Sequence, residues 1–96
     1  MKYGNRFYIQ ASREIWQRNL SDNAILLYFW MKELESRYTG KNKTYFTHTN
    51  TELSAELHWD IGRLKQAKKE LAAAGIIQVE KLWKDGKPVS KITVLL

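Results

Sequence analysis

The chain has 96 residues, enough for one modest hydrophobic core and hence one domain, 1–96. A hydrophobic content of 44 % with four tryptophans, five tyrosines and three phenylalanines favours a folded module over a disordered arm, and the lack of cysteine excludes disulfides and thiolate metal sites. The formal charge is +6, and its surplus is largest from Asp60 onward, where eight Lys or Arg stand against four acids, a balance suited to a polyanion or to plain solvated surface.

Residues 1–20 form an N-terminal segment whose Phe7, Ile9, Ile15, Trp16 and Leu20 can pack on the helix after it. Ser21 is placed to cap that long first helix, over 21–38. Its Ala24, Leu27, Met31, Leu34 and Tyr38 recur at helical spacing as a core stripe, while Ile25, Leu26, Phe29 and Trp30 lie around the other side. A helix apolar on nearly all sides must be covered on nearly all sides. The N-terminal segment supplies part of that cover. The remainder, Ile25, Phe29 and Trp30, is expected to meet a second copy in a homodimer; full cover by the first twenty residues in a monomer is the alternative. The apolar run 24–31 is too short to span a bilayer and no signal-peptide core precedes it, so the chain reads as cytoplasmic, with no membrane partner. Residues 39–43 read as a polar loop and Thr44–Thr47 as a short strand able to pair with a later hairpin.

Over 49–75 the spacing predicts two short helices across a tight turn. Thr49-x-x-Glu52 is a capping-box pattern, Leu53 and Leu57 fall on one face, and small Ser54 beside them permits close approach. The turn falls at His58-Trp59. Asp60 is suited to cap the next helix, whose Leu64, Ala67, Leu71 and Ala74 form an apolar stripe before Gly75 ends it. Helices this short need tertiary partners. Ile76–Val79 reads as a strand, Lys84–Pro88 as a turn and Val89–Leu96 as a returning strand, giving an α+β chain that ends in a hairpin at 76–96.

The run from Leu57-x-x-Asp60 through Leu71-x-x-x-Gly75-Ile76-Ile77 resembles the recognition helix and wing entry of winged helix-turn-helix DNA-binding proteins. Phe7-Tyr8-Ile9-Gln10 to Ile15-Trp16, then Leu20-Ser21-Asp22-Asn23-Ala24 and Leu26-Leu27-Tyr28, is similar to the start of replication initiator and primosome-type winged helices from plasmids and phages of Gram-positive bacteria. Two positions depart from the pattern: His58 stands where the turn often has glycine, and Gly62 lies in the first turn of the third helix. The resemblance implies three main helices plus a C-terminal wing, duplex DNA as partner and a role in replication initiation. A stand-alone transcriptional regulator, a replisome protein-interaction module and single-strand binding on exposed aromatics are the alternatives.

On the third helix the core stripe turns Gly62, Lys65, Gln66 and Lys69 outward, with Arg63 flanking them; in this fold that face enters the major groove. Gln66 can pair with adenine, Arg63 or Lys65 can donate to guanine, and Lys68 and Lys69 suit phosphates. Gly62 is either a point of close approach or a tolerated small residue. The helix start at Thr49, Asn50 and Thr51 offers donors to a phosphate, although capping alone also accounts for Thr49. Lys84 and Lys87 bracket a turn at Asp85-Gly86 and can reach the DNA backbone or minor groove. Trp83 is either core beneath the wing or an exposed surface for a base or sugar. Neither His48 nor His58 belongs to a nucleophilic or metal motif, the His48, Glu52, Glu56 recurrence offers at most a stray surface metal site, and Tyr38–Lys41 lacks the glycines of a phosphate loop. No enzyme, cofactor or metal is therefore expected.

Overall fold

Residues 12–39 and 45–96 are described by a computed structural model; Phe7, Ile9, most of the 39–43 loop and Thr44 lie outside the described residues. Ser12 opens the described chain by accepting the Glu14 N–H at 3.1 Å, starting a 3-10 turn at Arg13–Gln17 that brings Ile15 into the core. Helix α1, Asp22–Tyr38, begins at Ser21 as expected, the serine hydroxyl accepting the Ala24 N–H. Strand β1, Phe46–His48, precedes helices α2, Asn50–Leu57, and α3, Ile61–Ala73, and the chain closes with strands β2, Ile77–Lys84, and β3, Lys87–Val94. The three strands form an antiparallel sheet in the order β1-β3-β2. Both hairpin strands extend closer to the turn than the residue pattern suggests, because Glu80–Lys84 has no apolar alternation to announce a strand.

Local chemistry sets the two helix starts and the turn between them. Thr49 Oγ1 accepts the Glu52 N–H at 3.0 Å and Glu52 returns the bond to the Thr49 N–H at 2.9 Å, a complete capping box of a kind worth about 1 kcal/mol. His58 then takes a left-handed backbone, with φ of 59°, and its N–H and that of Trp59 close the last turn of α2. Histidine tolerates this region better than bulky or branched residues do. Asp60 caps α3 by accepting the Arg63 N–H at 2.7 Å, and Gly75 ends it with φ of 75° while the Ile76 N–H reaches back to the Leu71 carbonyl.

The core gathers Ala24, Leu27, Tyr28, Met31 and Leu34 of α1, Phe46 of β1, Leu53 of α2, Leu64, Ala67 and Leu71 of α3, and Ile76, Ile77 and Ile92. Two α1 expectations need correction. Tyr38 is exposed because it is the last helical residue and projects past the packed layer, and Leu26, placed among the residues needing cover, is exposed as well. Tyr28 joins the stripe instead, its buried hydroxyl accepting the Ser12 N–H at 2.9 Å. Among the described residues, no helix is long and apolar enough to cross a membrane.

Candidate nucleic-acid interface

Helix α3 presents three distinct surfaces. Leu64, Ala67 and Leu71 face the core. Arg63 and Glu70, seven residues apart, lie on the flank that meets the start of α1. There Glu70 accepts from the Ser21 N–H and hydroxyl, both at 2.7 Å, and the hydroxyl bond, followed by the backbone one, holds its carboxyl below the usual range. Arg63 donates through Nε and Nη2 to Asn23 Oδ1, at 3.1 and 2.8 Å, and lies 4.3 Å above the Trp59 ring. Arg63, expected on the flank of the outer surface, is exposed and folded back on α1, where it joins two helices. The third surface carries Gly62, Lys65, Gln66 and Lys69, all exposed. Among the described residues, none of these three polar side chains has an internal hydrogen-bond or ion-pair partner. A methyl group built on Gly62 would approach only Asp60 Oδ1, at 3.4 Å, so internal packing does not require glycine there.

Lys68 is a second correction. Instead of standing at the surface ready for a phosphate, it is 9 % exposed, and its ammonium donates to Asn50 Oδ1 at 2.7 Å and Ser90 Oγ at 3.3 Å. It sits on the core-side flank of α3, where α2 and β3 converge. Burial, reinforced by the charge of Lys65, pushes its pKa below the ordinary lysine value. No carboxylate among the described residues neutralises it. This buried cation ties the start of α2 to the hairpin and so fixes where Thr49, Asn50 and Thr51 lie.

Those three residues face the hairpin across a cleft of about 240 Å³, completed by Lys81, Pro88, Val89 and Ser90. Lys81 was not singled out from the sequence. The two-residue period from buried Ile77 through Val79 to Lys81 was the available signal, since it places Lys81 on the helix-facing side of β2. Asn50 gives its side-chain oxygen to Lys68 and the Thr49 hydroxyl serves the cap, so these two groups position the cleft wall. Farther out, Asp85 and Gly86, with φ of 53° and 77°, make the two-residue turn that the strand twist favours. Lys84 and Lys87 therefore face each other across the closing pair. Like charges placed opposite each other destabilise a ladder, and neither lysine is ion-paired to a described residue. Lys91, by contrast, is 3.4 Å from Glu80 and lies over the Tyr45 ring.

Ile25, Phe29 and Trp30, expected at a subunit contact, are half-buried within the single chain. Phe29 packs near Trp16 and Tyr28, at 5.9 and 5.7 Å between ring centres. Trp30 Nε1 donates to Glu56 at 2.9 Å and lies beneath Arg37. Glu56 also lies 3.1 Å from His48 Nε2, joining α1, α2 and β1, while Glu52 is occupied by its cap. Trp16, 65 % exposed, and Leu26, 52 % exposed, are left uncovered. No protein-family model, curated protein or solved structure matches the chain.

Proposed function

We propose that the chain is a winged helix-turn-helix module that binds duplex DNA, with α3 entering the major groove and the start of α2 and the β2–β3 hairpin meeting the backbone. The observation that carries this reading is an uncompensated basic strip. Lys69 and Lys65 lie on the outer surface of α3, Lys65 stands three residues before buried Lys68 on the same helix, and Lys68 is bonded to two residues of the cleft that also holds Lys81. Lys84 and Lys87 add charge at the hairpin end, on the other face of the ribbon from Lys81. A folded chain that leaves like charges side by side without counter-ions is suited to a polyanion, which supplies them on binding. Gln66, exposed and unengaged among these cations, is the side chain best placed to read a base edge, by a bidentate pair with adenine.

The replication-initiation role rests on the resemblance of 7–28 to plasmid and phage initiators. A transcriptional regulator would use the same surface. For two copies to place their α3 helices in successive major grooves, about 34–36 Å apart, the exposed apolar side chains on and beside α1 include Trp16, whose ring lies 5.9 Å from Phe29, and Leu26. Selection from a random duplex library tests the function. An enriched motif, repeated where two copies bind, is the expected result; a pool with no enriched motif contradicts base reading by α3.

A further inference from the structure

Trp83 is the most exposed large apolar side chain of the described residues, at 71 %. It is not core beneath the hairpin. In the ladder it stands opposite Pro88, one pair before the closing Lys84–Lys87 pair. The strand period puts it on the sheet face shared with Ile77, Val79 and Lys81, and with Ser90 and Ile92 of β3. Ile77 and Ile92 are buried, so this face looks toward the helices, and Lys81, Pro88 and Ser90 on it form one wall of the cleft. Trp83 nevertheless makes no ring or cation contact with any described residue.

Resting on the duplex-binding reading above, we infer that Trp83 is a stacking platform for an unpaired nucleobase, so that the module engages a junction between paired and single-stranded DNA. A base inside a duplex has both faces covered by its neighbours and offers an indole nothing to stack on. A base at an opened or single-stranded position offers a free face, and stacking on it is tolerant of sequence. The ring is carried on a ribbon paired as far as its two-residue turn, so little freedom is lost when a base settles on it. Lys81 shares the ring's sheet face and is placed for a phosphate beside that base, whereas Lys84 and Lys87 lie on the opposite face at the end of the ribbon.

The test compares a labelled blunt duplex with the same duplex carrying a short unpaired extension, by fluorescence anisotropy at low salt. The wild-type chain binds the tailed DNA more tightly. Trp83→Ala lowers affinity for the tailed DNA by about 5- to 150-fold, the range of stacking on one base, and leaves the blunt duplex nearly unchanged. Trp83→Phe keeps most of the preference, and Lys69→Ala weakens both DNAs alike without altering their ratio. A wild-type ratio of unity, a ratio that survives Trp83→Ala, or an equal loss on both DNAs overturns the stacking site while duplex binding stands. Failure of the wild-type chain to bind either DNA overturns the duplex reading itself. Because Trp83 is exposed, circular dichroism of the variants is expected to match wild type, so a lost preference reads as lost stacking.

Discussion

Gly62 stands on the outward face of α3, where glycine costs a helix up to about 1 kcal/mol relative to alanine and where the fold leaves room for a methyl group. Gly62→Ala is therefore expected to raise the unfolding free energy by about 0.5–1 kcal/mol, seen as a higher urea midpoint, and to weaken duplex binding by holding the helix off the groove. A stabilised variant with unchanged affinity would make the glycine merely tolerated. Gln66 and Arg63 separate in the same experiments. Gln66→Ala is expected to remove about 1–3 kcal/mol of discrimination between preferred and random duplex. Arg63→Ala instead loses the hydrogen bonds to Asn23, costing about 0.5–1.5 kcal/mol of stability, and leaves that discrimination in place. A loss of discrimination in Arg63→Ala would return the guanidinium to base reading.

At the scale of elements, α2 depends on its capping box, and the dependence has a pH signature. The hydrogen bond from the Thr49 N–H, opposed by burial and helped to a lesser degree by nearby His48, holds Glu52 below its ordinary value of 4.5. A depressed carboxylate contributes stability above the unfolded value and loses it as pH falls through the folded one. Glu52→Gln is thus expected to be less stable than wild type at neutral pH, the gap closing in acid; a gap constant across that range would assign the cap no charge effect. The starts of all three helices are legible in the sequence, because Ser21, Thr49 and Asp60 each act on the N–H group three residues away. Contacts made across the fold are not. Asn23 is forty residues from Arg63, and Asn50 and Ser90 flank Lys68 in space alone, so a helical wheel shows neither the Arg63–Asn23 bonds nor the burial of Lys68. Lys81 becomes legible only once β2 is carried past Val79, when the strand period places it on the helix-facing side.

For the whole molecule, assembly and charge are the properties to measure. With Ile25, Phe29 and Trp30 half-covered by their own chain, Leu26 is the residue whose replacement separates assembly from folding. Leu26→Glu is expected to sediment as a folded monomer where wild type sediments as a dimer, and a folded wild-type monomer at high concentration would remove the second copy. The central claim, that an uncompensated basic strip neutralises DNA phosphates, is tested most directly by the salt dependence of duplex binding in wild type and in a Lys84→Ala, Lys87→Ala double variant. Each phosphate contact contributes about 0.9 to the slope of log affinity against log salt. A steep wild-type slope that the double variant flattens by about two is the expected result, whereas binding insensitive to salt, or an identical slope in both proteins, would contradict the claim.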